Sequence, residues 1–164
     1  LGITKLEVAE LTPRLAAGAK DIEKTQLFVH PHKDVGAVIA SGSFLHDGMV
    51  VVPCSSTALG YIATGSGSNL LGRAAMVTLK ERRKPILVHR ESPLSLIDID
   101  NMRQVTLAGG IVAPANPGFY LLPKTIDDIV DFVVGKCLFF LDIKHTMATR
   151  WESRKQEMKR RVDA

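Results

Sequence analysis

Three short apolar runs in this chain each end in residues equipped for chemistry. Gly48-Met-Val-Val-Val-Pro53 leads into Cys54-Ser-Ser-Thr57, Pro85-Ile-Leu-Val88 into His89-Arg-Glu-Ser-Pro93, and Gly110-Ile-Val-Ala113 into Pro114-Ala-Asn-Pro-Gly-Phe-Tyr120. Hydroxyls, an arginine beside a glutamate, and a phenol are groups that can hold an anionic ligand and move a proton. In an open α/β sheet, ligands bind outside the carboxyl ends of parallel strands. Ordinary strand-to-helix loops account easily for one such cluster; three in succession point to the rim of one site.

A second set of cations lies between the first two runs. Arg73 and Lys80 stand seven residues apart, two helical turns, so both project from one helix face. Glu81, Arg82, Arg83 and Lys84 finish that helix, where cations suit the carboxyl-terminal dipole and need no further explanation. Arg73 sits among Leu70, Leu71, Ala74 and Ala75, on or beside the buried side. A guanidinium there needs an anionic partner, and a ligand phosphate is one candidate.

Other patterns are weaker. Gly67-Ser-Asn-Leu-Leu-Gly72-Arg73-Ala74 has the spacing of a P-loop, but it places Arg and Ala where Lys and Ser or Thr would hold phosphate and Mg²⁺, and no strand directly precedes it. Asp127-Asp128-Ile-Val-Asp131 matches the DDxxD of isoprenyl diphosphate synthases, yet it opens a helix behind Thr125, with Asp128 at the capping-box distance. First-turn carboxylates complement the helix dipole, which explains them without a metal. His30-Pro-His32, with His46 nearby, lacks a third ligand at a recognisable spacing and reads as exposed loop histidines.

The elements that must position these groups follow from periodicity and punctuation. Helical segments are expected over 1–20 up to Pro13, 34–40, 55–64, 69–83, 98–108 and 125–143; strands are expected over 48–52, 85–88 and 111–113. Continuous apolar strands separated by helices imply an α/β fold, a parallel sheet covered by helices on both faces. No repeat or low-complexity linker interrupts the 164 residues, a length that suits one domain with a real core. That domain is expected over 1–143, with 144–164 as a basic helical tail. The tail carries seven Lys or Arg against three Asp or Glu, while the rest of the chain is balanced, so the net charge of +4 is a property of the tail. It is either a solvated helix packing on a neighbour or a weak polyanion-binding arm; aromatic interleaving is limited to Trp151, and no nucleic-acid partner is expected.

Composition excludes several classes. With 46% hydrophobic and 23% charged residues the chain is an ordinary globular one. No apolar run approaches the ~20 residues of a membrane span; the longest, 129–143, is broken by Asp131, Lys136 and Asp142. No signal-peptide order is present at the start, which points to the cytoplasm. Cys54 and Cys137, far apart and outside any CxxC, read as reduced thiols. The chain opens with Leu1 in a helical segment, and no strand with a Gly-rich turn precedes Gly48, so an N-terminal piece is expected to be missing.

The residues carry a resemblance across nearly the whole chain. Ala40-Ser-Gly-Ser-Phe44, Met49-Val-Val-Val-Pro-Cys-Ser55, Asn69-Leu-Leu-Gly-Arg-Ala-Ala75, Val77-Thr-Leu-Lys-Glu-Arg-Arg83, Val88-His-Arg-Glu-Ser-Pro-Leu94, Pro117-Gly-Phe-Tyr120, Thr125-Ile-Asp-Asp128 and the tail's Thr149-Arg-Trp151 resemble the flavin prenyltransferase family, formerly called 3-octaprenyl-4-hydroxybenzoate or phenylacrylic acid decarboxylases. The resemblance implies a three-layer Rossmann-like or flavodoxin-like subunit of a homo-oligomer, often a dodecamer, that binds FMN at subunit interfaces. It implies transfer of a dimethylallyl group from dimethylallyl monophosphate to N5 and then C6 of reduced FMN, without a metal, to make prenylated FMN for a partner decarboxylase of ubiquinone synthesis or aromatic-acid breakdown. Carried over by position, Ser55, Ser56, Thr57 and Ala58 match the FMN-binding stretch and Arg90 the flavin-contacting arginine. Arg73, Lys80, Tyr120 and Lys136 match the groups around the prenyl phosphate, and Glu91 the carboxylate proposed to help proton transfer.

Two departures stand out. Ala58 replaces the family's usual Thr near the end of the Cys-Ser loop, with Thr57 one position earlier, and the family's opening strand with its Gly-Ala-Ser-Gly loop is absent. A cysteine-type decarboxylase of the same fold, such as those acting on phosphopantothenoylcysteine, is the alternative enzyme. Its Pro-Ala-Met-Asn segment has only a partial counterpart in Pro114-Ala-Asn-Pro-Gly-Phe-Tyr120, which lacks the Met. A truncated subunit that binds flavin or assembles without catalysis is the non-enzymatic alternative.

Overall fold

Each helix that borders the rim begins at a side-chain cap, and those caps set where the loops stop. The computed structural model describes residues 28–145 and 147. The chain divides into two compact units, Leu1–Pro31 and His32–Ala164, and all elements named below belong to the second. Strand β1 (Met49–Cys54) is followed by α1 (Ser56–Ala63) and α2 (Leu70–Lys80), then by β2 (Pro85–His89), α3 (Leu96–Leu107), β3 (Ile111–Val112) and α4 (Ile126–Phe140). Short 3₁₀ turns occupy Val38–Ala40 and Phe119–Leu121.

The sheet is parallel, ordered β1-β2-β3, with Val50 opposite Ile86, Val51 opposite Leu87, and Leu87 opposite Val112. β2 is central and buried at every residue, as its unbroken apolar sequence requires. One face carries Leu87 into a core with Val51, Leu59, Ile62, Ala75 and Val105 from β1, α1, α2 and α3. Val88 on the other face lines a space shared with Phe132, Val133 and Phe140 of α4. Helices therefore cover both faces, giving the expected three layers. Each wholly buried Leu or Ile in the first core contributes roughly 2 kcal/mol.

Several expected boundaries shift for identifiable reasons. β1 continues through Pro53 to Cys54 instead of stopping at Val52, because it pairs on one side only and an edge position tolerates a missing N–H. The 34–40 helix contracts to the Val38–Ala40 turn: the Asp34 carboxylate accepts from the Gly36 N–H at 3.2 Å, a local bond that competes with the helix. α2 ends at Lys80 rather than at 83, since Arg82 adopts φ 57° and turns the chain toward β2. α3 begins at Leu96, two residues before expectation, because Ser95 and Asp98 form a capping box. α4 stops at Phe140 instead of 143, with Asp142 at φ 59°. The helix expected over 1–20 and nearly all of the 144–164 tail lie outside the described residues. Among the described residues no helix is long and apolar enough to cross a membrane.

Candidate functional site

The three polar clusters do meet at the carboxyl edge of the sheet, and a buried histidine joins them. At the end of β1, Ser55 caps α1, its hydroxyl accepting from the Ala58 N–H at 3.1 Å. The helix start concentrates N–H groups and partial positive charge, a fit for phosphate or another anion. Ser55 and Thr57 are exposed, and Ala58 is buried in the core. Ser56 is different: its hydroxyl oxygen is buried and lies close to the Asp98 carboxylate, without a hydrogen bond of regular geometry between them.

At the end of β2, His89 is buried, and its Nδ1 lies 2.8 Å from the Cys54 carbonyl. A carbonyl only accepts, so Nδ1 carries the hydrogen. The Ala115 N–H after β3 donates to the His89 carbonyl at 2.9 Å, which brings the third cluster to the same edge. Arg90 and Glu91 follow at once and are exposed. Glu91 accepts from the Ser92 N–H at 3.1 Å, a bond that leaves its second carboxylate oxygen for other partners. Beneath them Asp98 is buried. Its carboxyl is held below the usual range, first by the hydrogen bond from the Ser95 hydroxyl, then by Ser56 and the Ser95 N–H, with a smaller contribution from His89.

Tyr120 and Lys136 converge on α4. The Tyr120 ring stands edge-on to Phe132, centroids 6.1 Å apart at 90°. Gly118 makes that approach possible, since a Cβ there would come within 2.6 Å of the Phe132 ring. Lys136, one turn after Phe132, carries its Nζ 5.8 Å from the centre of the Phe139 ring. It also lines a cavity of about 240 Å³ with Val88, Ala113, Pro114, Asn116 and Phe132, at the ends of β2 and β3. The lining is mostly apolar with one cation at its edge, suited to a small hydrocarbon group bearing an anion.

Arg73 lies in the first turn of α2 and Lys80 is its last residue, and Lys80 does not join this edge. Both are exposed, so Arg73 lies beside the buried face rather than on it, its stem passing Gly67. Lys80 pairs with Glu81 at 2.5 Å, beside Gly42. That hydrogen bond, more than the accompanying charge attraction, holds the Glu81 carboxyl below its usual range. The Glu81–Lys84 turn lies at the amino ends of β1 and β2, where the Met49 N–H donates to the Lys84 carbonyl. About 16 Å of strand, five residues at about 3.3 Å each, separates it from Arg90 and Glu91.

The weaker patterns have structural roles. Asp128 accepts from the Lys124 N–H at 2.7 Å and the Thr125 N–H at 2.9 Å, while Thr125 accepts from the Asp128 N–H. Those bonds, that from Lys124 foremost, lower its pKa and account for the aspartate motif as a cap. Among the described residues no group of three or more His, Cys, Asp or Glu could hold a metal. His32 is exposed, but His46 is half-buried, with its ring nitrogens 3.0 Å from the Gly48 carbonyl and 3.4 Å from the Thr78 hydroxyl. Sequence reasoning passed over His89 and Asp98. The available signal was a lone polar residue closing an otherwise apolar strand, and a Ser-x-x-Asp pair ahead of a helix.

Residues 12–138 match the family model described as Flavoprotein. The chain is 48% identical over 126 residues to the flavin prenyltransferase UbiX of Alkalihalophilus pseudofirmus, covering 77% of this chain and 63% of that protein. To the flavin prenyltransferase UbiX of Halalkalibacterium halodurans it is 46% identical over 147 residues, 90% of this chain and 68% of that one. Its fold is similar to crystal structures of AnUbiX (PadA1) in complex with FMN and dimethylallyl pyrophosphate (TM-score 0.76, 39% identity, 91% of this chain and 73% of that one). It is also similar to a dodecameric FMN-dependent UbiX-like decarboxylase from Escherichia coli O157:H7 (TM-score 0.76, 42% identity, 91% and 75%). The chain thus spans about two thirds of the length of the curated relatives it matches.

Proposed function

This chain belongs to the flavin prenyltransferase family, and on that premise we propose that the rim at the carboxyl ends of β1, β2 and β3 binds FMN and serves transfer of a dimethylallyl group from dimethylallyl monophosphate to N5 and C6 of the reduced flavin. The observation that carries the reading is the joining of the three loops at one edge through His89, which sets the capped start of α1, Arg90 and Glu91, and the 113–120 loop around common space. Reduced FMN, when bound, supplies the nucleophilic centres.

The chain's own residues divide the remaining tasks. The start of α1, with Ser55, Ser56, Thr57 and Ala58, offers N–H groups and hydroxyls to an anionic or polar edge of the flavin; the buried Ser56 hydroxyl serves through its position beside Asp98. Arg90 lies on the exposed side of the same edge, where a guanidinium pairs with flavin oxygens. The cavity against α4 takes the dimethylallyl chain, with the Lys136 ammonium and the Tyr120 phenol facing the phosphate that must depart. Glu91 is placed to hold or pass a proton as that phosphate leaves.

Lys80 enters through a neighbouring copy, and Arg73, exposed in the first turn of α2, is a further cation for the prenyl phosphate. A single chain sets Lys80 about 16 Å of strand from Glu91. The dodecameric assembly of a similar protein supports a site completed across subunits. On this reading the enzyme is cytoplasmic, its flavoprotein domain spans 1–143 and its basic helical tail 144–164, and a decarboxylase of ubiquinone synthesis or aromatic-acid breakdown receives the product.

The Pro114-Ala-Asn-Pro117 segment lacks the Met of the cysteine-type decarboxylase's Pro-Ala-Met-Asn, which weighs against that alternative. A paired assay separates the two enzymes. Given reduced FMN and dimethylallyl monophosphate without oxygen, the chain should release inorganic phosphate in step with flavin modification. Given phosphopantothenoylcysteine and oxidised FMN, it should release no CO₂. The opposite pattern would replace the prenyltransferase reading with the decarboxylase.

A further inference from the structure

The β1–β2 ladder loses its regular register between Val51 and Cys54, just where the candidate site begins. Pro53 lies in that interval and has no N–H to donate. The pairing resumes only at the last residue of each strand, Cys54 opposite His89, so β1 is held at the rim by a single ladder pair beyond the irregularity. The His89 side chain adds a second tie at that pair, since its Nδ1–H donates to the Cys54 carbonyl at 2.8 Å inside a site where the residue is 2% exposed. The other four residues of β2 are Pro, Ile, Leu and Val, so the imidazole is the one polar side chain on this central strand. Its Nε2 is buried and has no hydrogen-bond partner among the described residues, which leaves the Nδ1 bond as the ring's hydrogen bond there, beside its weaker electrostatic interaction with Asp98.

We propose that His89 is a positioning residue: by latching the end of β2 to the end of β1, it fixes the start of α1 relative to Arg90 and Glu91, so that both can engage one ligand. His89 itself touches no reacting atom. Its neighbours on both sides of the latch do the binding, Ser55 directly after Cys54 and Arg90 directly after His89. The latch as a hydrogen bond is independent of the ligand; its consequence for FMN rests on the function proposed above.

The test compares His89→Ala, His89→Asn and His89→Gln in the full chain, with oxidised FMN as the probe, read by flavin fluorescence and with circular dichroism and thermal melting as controls for folding. An Asn amide can occupy the place of Nδ1 and donate to the Cys54 carbonyl, whereas a Gln amide reaches toward the place of Nε2. His89→Ala and His89→Gln should weaken FMN binding about five-fold, the loss of one hydrogen bond, and His89→Asn should restore it to within about two-fold of the unaltered chain. Equal impairment of folded Asn and Gln variants would reduce His89 to a packing residue and overturn the proposal, as would undiminished binding by His89→Ala. If the unaltered chain failed to bind FMN, the function reading would fall. The latch would still be tested by ¹⁵N spectra of the imidazole, where a proton on Nδ1 supports it and a proton resident on Nε2 alone overturns it.

Discussion

Burial decides what the Cys54 thiol can do. The residue is 1% exposed, and desolvation pushes its pKa from an ordinary thiol value up to about 11. The folded state thus favours the neutral thiol. This contribution to stability is full below the ordinary thiol pKa and is lost as pH climbs from there toward about 11. Near pH 8 the folded thiol should react with iodoacetamide about a hundredfold more slowly than the thiol of the denatured chain, measured by peptide mass mapping. Equal rates would mean that Cys54 is open to solvent and available for chemistry. At this scale the sequence placed Ser55, Arg90, Glu91 and Tyr120 in loops after apolar runs, and those runs are the parallel strands whose carboxyl ends meet at one edge. It left Arg73 on or beside the buried side, and the residue is exposed although Leu70 and Val77, one turn to either side, are buried, because its stem is long enough to carry charge outward. His89 went unnoticed because a hydrogen bond to a carbonyl 35 residues earlier leaves no mark in local pattern.

Elements were legible where side chains punctuate them. Ser55, Asn69 and Thr125 cap α1, α2 and α4, and these starts were found to within one residue. The Ser95 cap was missed, the helix being expected to start at its capping-box partner Asp98, and helix ends were overrun because positive φ at Arg82 and Asp142 has no glycine to announce it. Caps are worth testing at this scale because α4 carries Lys136 and the Phe132 ring that seats Tyr120. Thr125→Ala removes the hydroxyl that accepts from the Asp128 N–H and should cost about 1 kcal/mol, a fall of about 2–4 °C in the melting midpoint. A second substitution addresses the loop rather than the helix. Gly118→Ala would drive a methyl into the Phe132 ring, displace Tyr120 and slow transfer by about tenfold while FMN affinity stays within about two-fold. Parallel loss of FMN affinity would show that the 113–120 loop holds the flavin itself and not only the prenyl donor.

For the whole molecule, the separation between Lys80 and the Arg90–Glu91 edge is the governing fact. A parallel sheet delivers loop residues to its carboxyl edge, and Lys80 ends a helix whose following turn leads to the amino edge. The layered fold could be anticipated from alternating runs and helices, but the placement of Lys80 could not, since spacing along a helix does not say which end of a sheet it approaches. If a neighbouring copy supplies Lys80, chains bearing Lys80→Ala and chains bearing Glu91→Gln should each be nearly inactive, and mixed oligomers assembled from both should recover activity at the sites that receive both native residues. Mixtures as inactive as the separate variants would confine the site to one chain. Prenyl transfer leaves its record in the mass of the flavin itself. After anaerobic incubation of the chain with reduced FMN and deuterated dimethylallyl monophosphate, mass spectrometry should find flavin heavier by one intact labelled five-carbon unit; FMN that binds to the chain yet keeps its original mass would contradict the account.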